Sequence, residues 1–231
     1  MCELIAQINS AQSYLASLGQ PPMPLNFSNE EISTNATRQM DEKFIPDLHN
    51  RNHIIRPNHP LTAVMNLHGE LQTRQIRWGW SPIWSMGTRP PLTHLPLEIV
   101  MRSKVFMRMR SSGRALVAVD GWFDAAVDHA ATGRYRFTYM RPRSKEPIFL
   151  AALAQVSEPP SGCNGLVLVT QGGGGMAGPL QLLAFTGESA IHWLNPELDW
   201  QHAKELASLD IVNGEHFEQV MVSHRGTSKV R

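Results

Sequence analysis

Cysteine is almost absent from the chain, with only Cys2 and Cys163 among 231 residues. Two cysteines in a chain of this size do not make a disulfide framework, and the expected compartment is a reducing cytoplasm. Long apolar runs are missing too. No stretch approaches the ~18 residues of a membrane span, and no charged segment followed by an apolar run opens the sequence. No membrane partner is expected. Neither charge sign is in excess: the net charge of +1 gives no global pull toward nucleic acid or lipid. Ten histidines are scattered with neither a Cys-x-x-Cys pair nor a carboxylate cluster at ligand spacing beside them, and there is no Gly-x-Ser-x-Gly elbow. Neither a metal nor another cofactor is expected.

What is present begins at the second residue. Loss of Met1 would make Cys2 an N-terminal 1,2-aminothiol, whose α-amine ordinarily titrates near ~7.7–8.0 and whose thiol titrates near ~8.5. One residue then offers two nucleophiles. With an aldehyde, the amine can form a Schiff base and the thiolate can close on the same carbon, giving a thiazolidine. A cysteine beside Leu4 and Ile5 is equally at home as a small buried apolar residue, so position alone does not decide.

The apolar pattern predicts an α+β fold with many antiparallel strands and a few short peripheral helices. Length favours one domain over residues 1–231. Ser10 caps a helix through Leu18, with Gly19 as its stop. Residues 20–52, rich in prolines and amides, read as a long irregular excursion. Leu61–Leu67 and Leu71–Arg77 flank His68-Gly69-Glu70 and predict a hairpin. Trp78, Trp80 and Trp84 crowd a glycine and a proline. They suit a core corner or a stacking surface for bases, and the two readings can share the stretch with one ring out and two in.

Residues 98–109 are predicted as one helix. Arg102, Lys104, Arg108, Arg110 and Arg114 lie within or just beyond it, forming either a solvated basic face or one that tracks phosphates. Arg114–Val119 reads as a buried strand ending in Asp120-Gly121-Trp122-Phe123-Asp124, an acidic turn of the kind that points into a cleft. Further strands are expected at 134–140, 148–156, 166–170 and 217–222, and helices at 188–194 and 198–207. Gly172–Gly175 lack the Lys-Ser/Thr of a phosphate loop and read as a flexible loop.

Met1-Cys2 with Ala6-Gln7, Trp78-Gly79-x-x-Pro82-x-Trp84, Gly113-Arg114-Ala115, Asp120-Gly121-Trp122-Phe123 and Val169-Thr170 together resemble the SOS response-associated peptidase (SRAP) family of abasic-site processing proteins. The likeness runs from residue 1 to about 225 and is densest from Trp78 to Asp124. It implies a β-barrel-like centre with a groove for single-stranded DNA. It also implies that Cys2 crosslinks the aldehyde of an abasic site as a thiazolidine after Met1 removal, in the DNA damage response. A monomer is expected.

Carried over by motif, the resemblance makes Cys2 the nucleophile. Asp124 falls where the family has a glutamate in proton transfer, and His94 falls on the family's active-site asparagine, where it would donate a hydrogen bond or shuttle a proton. Pro57, Trp84, Lys104 and Thr170 fall at DNA-contacting positions. Leu4 and Pro96 replace two arginines, and the interval 176–183 holds neither the family's histidine nor its arginine. A weaker groove than the family norm is therefore expected, and the alternative is a relative that keeps the fold and binds DNA or a protein without crosslinking.

Overall fold

The computed structural model describes residues 2–19, 46, 53–85, 87–127, 135–144, 146–159, 161–171, 181–195, 197–209 and 216–222. Strand β1 (Cys2–Ala6) opens the chain. Helix α1 (Ala11–Ala16) follows; Ser10 caps it by accepting from the Ser13 amide, and Gly19 leaves it at φ 76°. After β2 (Ile54–Ile55), β3 (Pro60–Leu67) and β4 (Glu70–Arg77) form the expected hairpin. Its turn puts His68 at φ 56° and Gly69 at φ 88°, a left-handed pair that matches the twist of the strands it joins.

Beyond the tryptophan corner come β5 (His94–Pro96), α2 (Leu97–Arg102), a 3-10 turn at Lys104–Phe106 and α3 (Met107–Ser112). The single helix expected at 98–109 is thus broken. Ser103 is extended (φ −81°, ψ 129°) and its hydroxyl accepts from the Val105 amide, so a side-chain cap replaces the helical ladder there. Arg110 closes the break by donating to the carbonyls of Val100 and Met101.

β6 (Arg114–Val119), β7 (Gly121–Val127), β8 (Tyr135–Pro142), β9 (Ile148–Gln155), β10 (Gly165–Gln171), β11 (Gln181–Leu182) and β12 (Ala184–Phe185) then follow. Helices α4 (Gly187–Leu194) and α5 (Trp200–Leu209) and the strand β13 (Phe217–Val222) end the described chain. The glycine run 172–175 and nearly all of the 20–52 excursion lie outside the described residues.

The strands make two sheets. One runs β13-β8-β7-β1-β2; the other runs β11-β10-β9-β6-β3-β4, with β12 on β9 and β5 on β10. Pairing is antiparallel except that β5 runs parallel to β10. Among the described residues the two sheets do not close into the barrel that the resemblance implies, although a parallel bridge from Trp78, just after β4, to Leu166 of β10 draws the ends of the larger sheet together.

Ile5, Trp122 and Phe217 from the smaller sheet share one core with Leu61, Trp78, Val117, Leu150 and Leu168 from the larger. The larger sheet buries its other face under the helices, through Phe106, Phe149, Phe185 and Trp193 among others. Its middle strands β6 and β9 are apolar at almost every position because both faces are covered. Gly165 sits where β10 crosses the tryptophan corner: a Cβ there would lie 2.2 Å from the Gly79 carbonyl oxygen.

Candidate functional site

β1 is an interior strand, hydrogen-bonded to β2 on one side and β7 on the other. Its register sets Cys2 opposite Asp124, with a shift between Cys2 and Leu4 before Leu4 pairs with Phe123. A bulge of this kind re-aims the end of a strand. Side chains alternate along β7, so Asp124, half-buried, shares the face of Trp122, which is turned toward the larger sheet. On that sheet His94 pairs with Leu168 and Thr170 lies two positions further, both on the face turned back toward Trp122.

Two causes hold the His94 imidazole at about 4, well below its ordinary value of 6.5: burial first, then the positive charge of the chain's N-terminus. The ring is therefore neutral at pH 7, so it can donate or accept a hydrogen bond but does not switch charge there. Nδ1 lies 3.0 Å from the Thr93 hydroxyl and the ring meets Trp78 edge-on with centroids 5.7 Å apart. Among the described residues Nε2 is buried without a partner, and so is the hydroxyl of Thr170, whose residue is 1% exposed. Two orphaned polar atoms on adjacent strands, aimed between the sheets, are costly unless something else bonds to them.

The acidic turn behaves otherwise than expected. Asp120 is 3% exposed and opens into no cleft; its carboxylate accepts from the Ile8 amide (2.6 Å), the Asn9 amide (3.1 Å), the Asn9 side chain (2.5 Å) and the Tyr14 hydroxyl (2.6 Å). Burial, then the Asp120 charge, pushes the Tyr14 phenol far above its ordinary value. The sequence reading missed this anchor, and equally that of Gln7. The Gln7 amide donates to the carbonyls of Thr62 and Ala118 and accepts from the Thr62 amide, tying the end of β1 to both neighbours in the larger sheet. Gln7 belonged to the motif that flagged the N-terminus, but nothing in its spacing named its partners.

Of the expected DNA contacts, Trp84 is 67% exposed, while Trp78 and Trp80 are buried at 0% and 3%. One ring is out and two are in, as the mixed reading allowed. Lys104 is exposed on its 3-10 turn, and Pro57 sits half-buried on the turn whose Asn58 amide donates to the Trp78 carbonyl at 2.7 Å. Thr170 is interior rather than on the surface. The basic run divides: Arg102, Lys104 and Arg108 are exposed, while Arg110 caps α2 and Arg114 is buried, donating to the carbonyls of Asn195 and Leu198.

Cys2 set opposite Asp124 on neighbouring strands, a neutral buried histidine on the larger sheet, and an exposed Trp84 and Lys104 join the fold to the sequence motifs. The sequence pattern of the SOS response associated peptidase (SRAP) family matches residues 23–227, and the chain belongs to that family. It is 25% identical over 229 residues to the abasic site processing protein YedK of Escherichia coli K12, covering 96% of this chain and 92% of that one. Among solved structures, a phage-related protein from Bordetella bronchiseptica has the same fold, with a TM-score of 0.70 at 19% identity over 96% of this chain and 94% of its own. A protein from Bacteroides thetaiotaomicron matches at a TM-score of 0.56 and 14% identity, over 74% of this chain and 78% of its own. No helix among the described residues is long and apolar enough to cross a membrane.

Proposed function

We propose that this protein processes abasic sites in DNA, and that it does so on single strands by forming a covalent crosslink through Cys2 once Met1 is removed. The register that sets Cys2 opposite Asp124 carries the reading. The neutral Cys2 amine attacks the aldehyde carbon of the ring-opened deoxyribose and loses water to give an imine. The thiol then adds its sulfur to that carbon and its proton passes to nitrogen, closing the thiazolidine. One C–N and one C–S bond form, and one water leaves.

Asp124 is the group that carries protons between amine, carbinol oxygen and solvent. His94 bonds through Nε2 to the sugar oxygen without changing charge, and Thr170 offers its hydroxyl from the next strand. Trp84 stacks a base, Lys104 meets a phosphate and Pro57 borders the strand. Leu4 stands where relatives of this kind carry an arginine and is buried at 5% exposure, so the phosphate grip is weaker.

Incubation of the processed protein with an abasic single-stranded oligonucleotide should give a heat-stable adduct that the Cys2→Ala variant does not form. The place of the family's asparagine taken by His94 and the lack of its histidine in 176–183 support a second reading, a relative that keeps the fold and binds DNA or a protein weakly without crosslinking. Absence of adduct with protein whose Met1 is shown by mass spectrometry to be gone would overturn the crosslink, and retained binding of the oligonucleotide by that protein would then support the second reading.

A further inference from the structure

A cavity of about 320 Å³ lies away from these residues, between the β3–β4 turn, α3 and the segment after β9. Met65 and Met109, each 3% exposed, are among its lining. Arg74, Arg108 and His68 stand at its rim, with Glu158 the acidic residue among the described lining. Arg74 reaches Glu158 only at 4.0 Å, with side chains 44% and 80% exposed. An exposed pair of this kind contributes little and leaves the guanidinium open to a better anion. Arg108 is exposed on α3 and has no side-chain partner among the described residues.

Thioether sulfurs are favourable partners for a flat ring, and guanidinium groups for a phosphate. The volume is at the small end of ligand pockets and suits one small ligand.

The cavity also adjoins the surface that carries Lys104. Gln155 lines it and accepts from the Trp80 indole N–H at 2.9 Å. Trp80 lies against Phe106 with centroids 5.4 Å apart. Phe106 ends the 3-10 turn that begins at Lys104, and Arg108 follows in α3. Gln155 pairs with Gly165, and β10 from Gly165 to Leu168, the partner of His94, spans about 10 Å at the usual strand rise. The cavity is therefore a separate place from the one Cys2, His94 and Asp124 define.

We infer that this cavity takes one nucleotide unit, with its base against Met65 and Met109 and its phosphate on Arg108 and Arg74. The unit comes either from a single strand that runs on past Lys104 or from a free mononucleotide; only the first source rests on the function proposed above.

The test uses full-length protein labelled at the methionine methyls, with the Met65→Leu and Met109→Leu variants for assignment. It is titrated at low salt with thymidine, dTMP, inorganic phosphate and an undamaged thymidine hexanucleotide. Both methyl signals should move saturably with dTMP or with the hexanucleotide and stay still with thymidine. Arg108→Ala, an exposed change, should weaken that binding at least fivefold and reduce the salt slope for the hexanucleotide by about 0.7. Movement with the hexanucleotide alone assigns the strand; equal movement with dTMP assigns the free nucleotide. Methyl signals that ignore both, or that answer inorganic phosphate as strongly as dTMP, overturn the inference, as does an Arg108→Ala protein that binds like the parent. Because the hexanucleotide has no abasic site, failure of Cys2 to crosslink leaves this result standing, and the converse also holds.

Discussion

Replacing Asp120 with alanine should loosen the end of β1 more than any other single change near the N-terminus. The carboxylate accepts from four donors, the amides of Ile8 and Asn9, the Asn9 side chain and the Tyr14 hydroxyl. Tyr14 is 1% exposed, so its hydroxyl would be left in apolar surroundings at a cost of about 2 kcal/mol; the other donors are partly buried and recover some hydration, which brings the total to about 3–5 kcal/mol. At about 2–4 °C per kcal/mol for a chain of this size, the melting temperature should fall by roughly 6–20 °C. Tyr14→Phe removes one donor and leaves the acceptor occupied, so it should cost about half as much or less. Thermal denaturation reads the totals, and amide hydrogen exchange reads the place: Ile8, Asn9 and the β1 amides should exchange faster than those of β6 and β9. A fall under about 2 °C, or unchanged exchange at Ile8 and Asn9, would refute the reasoning, because the anchor would then carry no share of β1's attachment.

His94 should titrate by NMR with a midpoint near 4. Its neutral form is the folded one, so its contribution is complete above the unfolded value of 6.5 and is lost as pH falls through 4, by up to about 3 kcal/mol. His94→Asn should flatten the stability profile across that window, and a midpoint near 6.5 would overturn the burial argument. Trp84→Ala should weaken single-strand binding by about 1–3 kcal/mol in a fluorescence titration while leaving the melting temperature within about 1–2 °C; an unchanged affinity would remove the stacking role. Gly165→Ala should destabilise the fold strongly in denaturant titration, since its Cβ would meet the Gly79 carbonyl oxygen at 2.2 Å, and a melting curve like that of the parent would mean the corner yields.

Local rules carried the sequence reading wherever the cause was local. The Ser10 cap, the hairpin about Gly69 and the strand at 217–222 lie where turn chemistry and alternation put them. The helix expected at 98–109 failed because Ser103 prefers to cap rather than continue, a choice that apolar spacing does not record. Asp120 was visible as an acid at a strand end, but its four donors come from a segment over a hundred residues earlier, and no local pattern reveals such a pairing. The parallel pairing of β5 with β10 is likewise a product of the tertiary fold: three residues carry too short a pattern to announce a strand. At the candidate site, motif order named Cys2, His94 and Asp124, whereas the neutrality of His94 and the burial of Thr170 needed the packing around them.

The interior position of β1 also sets a timetable. Cys2 is made well before its partner Asp124, which follows more than a hundred residues later. At about 5–20 residues per second the ribosome needs on the order of ten seconds to deliver it. Until then β1 has no sheet to join and the chain start is open to a processing aminopeptidase. Once β7 docks, the same backbone is held between two neighbours. The crosslink proposed above, which needs Met1 gone, is therefore best served by removal before β7 docks.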